Sequence, residues 1–233
     1  MARKTIYRIM KNNNLTLPLH NLKNRKELKL LRANKSEMLI ETGIIYIPTS
    51  NGMTYSICIK DVFFKEWYGY NYNTSCTARD AINAGDDSII RKFNGKVPDN
   101  ITLRTDNGSQ YISREFNEYL KLLRISHEYI EKETPEENGD IESFHNSIKT
   151  EYIWVNEISN FNDGKIIIEN AFQDYNNTRV HSTLDYYSAL QFLDKWDNDI
   201  SFREYYRGFL KNLKDGYRRR KSNYNRRSMT SVS

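Results

Sequence analysis

Two carboxylates stand where carboxylates can do chemistry. Asp106 follows the short strand pattern Ile101–Thr105, within Arg104-Thr105-Asp106-Asn107-Gly108-Ser109-Gln110-Tyr111. Glu142 lies in Gly139-Asp140-Ile141-Glu142-Ser143-Phe144-His145, at the start of a helical pattern. An acid at a strand end and another on a neighbouring helix can converge on a hard cation. Mg²⁺ or Mn²⁺ takes oxygen ligands, and Mg²⁺ keeps several waters, so few carboxylates suffice per ion. Two such ions can activate a water or a 3′-hydroxyl and stabilise the leaving oxygen in phosphoryl transfer. Taken as an isolated pair, the same residues have a plainer account. Asp-Asn-Gly is turn chemistry, and Glu in a first helical turn complements the helix dipole.

The elements that would hold these acids can be read from periodicity. Leu39 to Pro48 is β-branched and apolar, Ser50-Asn51-Gly52 supplies a turn, and Met53 to Lys60 and Phe63 to Tyr70 continue as strands, giving an antiparallel meander. Thr77 caps a helix that runs to Phe93 and ends at Asn94-Gly95. Ile101 to Thr105 is a fourth strand; Ser113 caps a helix carrying Phe116, Leu120 and Leu123 on one face; Ile125 to Ile130 is a fifth strand. Helices follow at Ile141 to Val155, at 163–178 and at 188–196. The order predicts an α/β fold with a mixed five-stranded sheet and helices on its faces.

Charge is distributed unevenly along the 233 residues. Residues 1–40 carry ten Lys/Arg against Glu27 and Glu37, and residues 201–233 carry ten against Glu204 and Asp215, although the whole chain is only +5. Basic ends around an acidic body suit a polyanion, and equally suit solvated ends. We divide the chain into a basic arm with a short helix (5–12) over 1–36, a core over 37–198, and a basic helix and disordered tail over 199–233. Cys58 and Cys76 have no metal-ligand spacing and make no disulfide framework, so a reducing cytoplasm is expected. No apolar run is long enough for a membrane span, and the N-terminus lacks a signal-peptide pattern.

The motifs resemble a family. Thirty-five residues separate Asp106 from Glu142, the spacing of the second and third catalytic acids in retroviral integrases and insertion-sequence transposases. Thr105 to Tyr111 looks like the family's signature around the second acid. Asn138 through Glu142-Ser143-Phe144-His145 to Lys149 looks like the third. Tyr175-Asn176-Asn177-Thr178-Arg179-Val180-His181-Ser182-Thr183-Leu184 resembles the closing motif of the insertion-sequence branch. The resemblance covers roughly residues 37–196. It implies an RNase H-like core that uses two Mg²⁺ (or Mn²⁺) ions to cleave DNA ends and join them to target DNA, working as a homo-oligomer on DNA beside the nucleoid. No complete helix-turn-helix is present in the sequence, which leaves end recognition to another chain or to an upstream segment.

One position departs from the pattern. The family's first acid lies mid-strand, and in Thr42-Gly43-Ile44-Ile45-Tyr46-Ile47-Pro48 that place is taken by Gly43. Glu41 shares the strand face of residue 43 but starts about 7 Å away. Asp61 reads as a turn acid. By resemblance, Asp106 and Glu142 hold metal, Lys149 contacts DNA near the reacting end, Gln110 and Tyr111 line the site, and Arg179 and His181 face DNA or serve structure. Arg218, Arg219, Arg220 and Lys221 suit phosphates in the tail. His127 and His145 read as surface or core histidines. The functional expectation is a transposase core impaired at position 43; the alternative is a catalytically inactive nucleic-acid-binding module on the same fold.

Overall fold

The computed structural model describes residues 38–130 and 139–208. Five strands run β1 (Met38–Thr49), β2 (Gly52–Asp61), β3 (Trp67–Asn73), β4 (Ile101–Thr105) and β5 (Ser126–Tyr129). They lie in the order β3-β2-β1-β4-β5. β1, β2 and β3 form the antiparallel meander, while β4 pairs parallel with β1 and β5 parallel with β4. This is the mixed five-stranded sheet that the element order predicts. The helix expected at 5–12, the basic arm over 1–36 and the tail with Arg218, Arg219, Arg220 and Lys221 lie outside the described residues.

Period-two alternation on β1 splits the core in two. Ile40 faces α1 (Ala78–Phe93), α2 (Ser109–Ile112) and α3 (Arg114–Leu122), in a cluster with Ile57, Ile59, Leu103, Phe116 and Leu120. Ile45 and Ile47 face α4 (Gly139–Ile148) and α5 (Phe161–Asn177), in a cluster with Cys58, Trp67, Phe144, Ile168 and Phe172. Capping residues set the helix starts. Thr77 forms a reciprocal capping box with Asp80, and Asn94 ends α1 in the left-handed region at φ 50. Ser113 caps α3 through the Phe116 amide at 3.2 Å.

Two expected elements differ. The third strand begins at Trp67 instead of Phe63, because 62–64 form a turn and Lys65, just after it, adopts φ 59. Phe63 and Phe64 there pack with Leu184, Phe192, Trp196, Phe202 and Tyr206, seating α6 (Ala189–Asn198) and a helical stretch over 200–208. The single helix expected over 141–155 is α4 followed by a π-helical turn, Lys149–Ile153. Among the described residues no helix is long and apolar enough to cross a membrane.

Candidate functional site

The site is organised around β1. Gly43 is buried mid-strand and pairs with Cys58 of β2. On its other side the parallel register with β4 runs to Glu41↔Arg104, so residue 43 is carried toward Asp106, two residues beyond that pair. Asp106 follows β4 immediately and is exposed. Its Oδ1 accepts from the Gly108 amide at 2.8 Å, and its carbonyl accepts from the Thr105 hydroxyl at 2.8 Å. The Asp-Asn-Gly turn therefore fixes the direction of this carboxylate.

Above β1 runs α4. Its inner face, Ile141, Phe144 and Ile148, is buried against the Ile45–Ile47 cluster, which leaves Glu142 exposed on the outer side of the helix. One turn after Glu142, His145 comes down onto Gly43. A Cβ at residue 43 would sit 2.4 Å from His145 Cε1, 2.9 Å from its Nε2 and 3.0 Å from Ile141 Cγ1. The ring thus fills the space that a side chain at residue 43 would need. His145 Nε2 is sealed from solvent and has no hydrogen-bond partner. Burial first, then the like charges of Lys149 and Lys60, hold the imidazole down at about 3, so it is neutral.

Charged side chains gather below the helix start. Lys60, fully buried on β2, ion-pairs with Asp140, and Lys65 reaches the other Asp140 oxygen at 2.6 Å. Burial pushes the Asp140 carboxyl up, but the two lysines outweigh it and hold it below the usual range. Glu41 does share the face of residue 43, yet it is buried and takes a bond from Arg104 at 3.1 Å; Arg104 also reaches Glu128 at 3.4 Å. Burial raises the Glu41 carboxyl, against Lys60 and Arg104. One oxygen of the acid nearest along the strand is thus bonded to a protein cation, while its buried Oε2 has no hydrogen-bond partner. Among the described residues no group of three or more His, Cys, Asp or Glu is placed to hold a metal ion.

The remaining sequence-derived residues separate into two sets. Lys149 is half-buried at the start of the π-helical turn, on the same helix as Glu142. Tyr111 is fully buried beneath β1 and shares a 3.2 Å hydrogen bond with Thr42, so it supports the strand and has no surface to offer DNA. Gln110 is buried beside it at 8% exposure. Arg179 makes a forked pair with Glu151, both contacts at 2.8 Å, bonds Ser147 at 3.0 Å and stacks on Tyr175. It ties the end of α5 to the π-helical turn. His181 is buried against Arg179 at 3.3 Å. Sequence reasoning missed Lys60, Arg104 and Asp140 and gave His145 no particular role. A lysine inside the apolar strand Ser56-Ile57-Cys58-Ile59-Lys60 signals a buried partner, but not which one.

Comparisons with known proteins agree with this layout. Integrase core domain models match residues 33–135 and 123–188. The putative transposase InsD for insertion element IS2E of Escherichia coli (strain K12) is 33% identical over 110 residues, which is 46% of this chain and 49% of that protein. The transposase InsD for insertion element IS2A/D/F/H/I/K of Escherichia coli is equally identical over 110 residues, 46% of this chain and 36% of that protein. The match therefore spans about half or less of the length of these relatives. Among solved structures, the simian T-cell lymphotropic virus intasome in complex with PP2A regulatory subunit B56 gamma aligns with a TM-score of 0.54 at 19% identity, covering 67% of this chain and 54% of that one. The HTLV-2 integrase catalytic core domain in complex with magnesium (trimeric form) gives 0.52 at 16%, over 67% and 95%. The Mos1 transposase catalytic domain with Raltegravir and Mg gives 0.50 at 13%, over 62% and 75%. At these identities the likeness is one of fold.

Proposed function

Because this chain belongs to the integrase core domain family, we propose that it is a transposase core that engages element-end and target DNA but does not itself carry out two-metal strand cleavage and transfer. The observation that supports this reading is position 43. Two-metal phosphoryl transfer needs ions held about 3.5–4 Å apart, and by resemblance the first carboxylate is the ligand shared between them. Here that position has no side chain, its space is taken by His145, and Glu41 is held by Arg104. Asp106 and Glu142 remain, but the residues present do not fit a pair of ions.

What the chain keeps is a DNA-handling surface. Lys149 lies on the same helix as Glu142, and the basic sequences at both ends suit phosphate contacts whose strength falls with salt as counterions are released. Assembly as a homo-oligomer on DNA, and end recognition by a separate helix-turn-helix chain, complete the proposal.

The test is a nicking assay on a labelled duplex carrying the cognate element end, with salt-dependent binding measured in parallel. We expect binding that weakens steeply with salt and no Mg²⁺-dependent nicking by the natural chain. Nicking that Glu142→Gln abolishes would refute the inactive reading. Binding with no salt dependence would refute the DNA-handling one.

A further inference from the structure

Two irregularities meet at one point. Glycine in the middle of a buried central strand is unfavourable, since it loses more conformational freedom than any other residue on folding and packs nothing. A buried imidazole nitrogen without a partner is also unfavourable, because its desolvation is uncompensated. In this core the second faces the first. The orphaned Nε2 of His145 lies 2.9 Å from where the Cβ of residue 43 would be. A carboxylate on that Cβ, reached by a small sideways shift of the ring, would supply the missing acceptor. One lost side chain accounts for both.

We infer that His145 is a positioning residue for the first carboxylate of this core: its Nε2–H is the donor half of a carboxylate–imidazole hydrogen bond whose acceptor, an aspartate at position 43, is missing here. The inference rests on the reading of residue 43 as the absent first acid. The surroundings agree. Lys60 and Lys149 act on this site as positive charges while the ring stays neutral, so an anion at 43 would find them favourable. The ring makes no hydrogen bond through Nε2 that would resist the shift. Beyond the ring, a Cβ at residue 43 would meet only the flexible Ile141 side chain, at 3.0 Å.

Thermal midpoints of the full chain in chelator, without metal or DNA, test the pairing. Gly43→Ala and Gly43→Asp are each made with His145 and with His145→Phe, and imidazole ¹⁵N shifts are recorded for the His145 chains. Alanine adds volume under the ring without an acceptor, and its midpoint should fall by roughly 3 °C or more. Aspartate should melt above alanine when His145 is present, and this advantage should vanish with His145→Phe. In the aspartate chain Nε2 should take the shift of a protonated, hydrogen-bonded nitrogen. Gly43→Asn, which keeps the acceptor oxygen without the charge, gives the same ordering if the aspartate chain does not fold. Aspartate melting at or below alanine with an unchanged ¹⁵N shift, or an advantage that survives His145→Phe, would overturn the inference. Neither metal nor DNA enters the experiment, so nicking by the natural chain would refute the inactive reading and leave this result standing.

Discussion

Asp140 ties the start of α4 to the sheet through two lysines. It lies in the helix's described first turn, two residues before Glu142, and answers two lysines at once. Asp140→Asn keeps the size and removes the charge. Lys60, 1% exposed, would then be a buried ammonium without its counter-ion, and Lys65, at 16%, would lose its partner too. Removing one member of a buried pair typically costs about 3–5 kcal/mol. Asp140 is 23% exposed, and Glu41 also acts on Lys65, so we expect about 2–4 kcal/mol. Urea denaturation measures it, and faster amide exchange along α4 should accompany it. Acid gives the same answer by another route. The folded carboxyl is held below its ordinary value of about 3.9, so its contribution is present above that pH and is lost as pH falls through the lower folded value. A loss within about 0.5 kcal/mol, with α4 exchange unchanged, would refute the clamp, because that is the usual scale for a surface substitution.

Three further substitutions probe other joints. Asp80→Ala removes an acceptor used by Asn71, Asn73, Ser75 and Thr77. It should lower stability by about 1–2 kcal/mol in urea melts. Burial raises this carboxyl, but the donors bring it down to about 2, so the lost stability is the part present above about 3.9 and withdrawn as pH falls through about 2. Arg179→Ala should cost about 1–2 kcal/mol in thermal melts, with Lys recovering little because an ammonium cannot fork onto Glu151; a change confined to the salt slope of DNA binding would instead mark a DNA contact. Gly69→Ala would put a Cβ 2.6 Å from the Ser88 backbone nitrogen. It should cost about 2 kcal/mol or more by forcing β3 from α1, and an unchanged midpoint would show that the two separate freely.

Local chemistry made much of the fold readable. Ile101–Thr105 is a strand to the residue, and Thr77, Asn94 and Ser113 mark helix ends through their own side chains or φ. Phe63 and Phe64 misled because aromatics favour strands, yet theirs is a tertiary role: they fill a cluster with residues more than a hundred positions away. The π-helical turn has no sequence signature of comparable strength. At the site, a glycine in the middle of an apolar strand is visible in the sequence at residue 43. What packs over it is not, because the contact joins residues 43 and 145, a strand and a helix far apart in the chain. Arg179 shows the same limit, since a conspicuous arginine in a motif does not reveal that Glu151 has taken its fork.

The position of β1 between β2 and β4 also governs the order of assembly. Its pairing with β2 closes across Ser50 and Asn51 alone, a hairpin of the kind that forms in about 1–10 μs. Its pairing with β4 brings residue 41 to residue 104 and must close a far longer loop before any contact rewards it. We therefore expect the meander to precede the parallel half on the way to the native state, and α4, whose Ile141 and His145 rest on Gly43, comes later still in the chain. Gly43 is thus paired with Cys58 early but covered late. A change there should be felt mainly as faster unfolding, with the folding rate little altered.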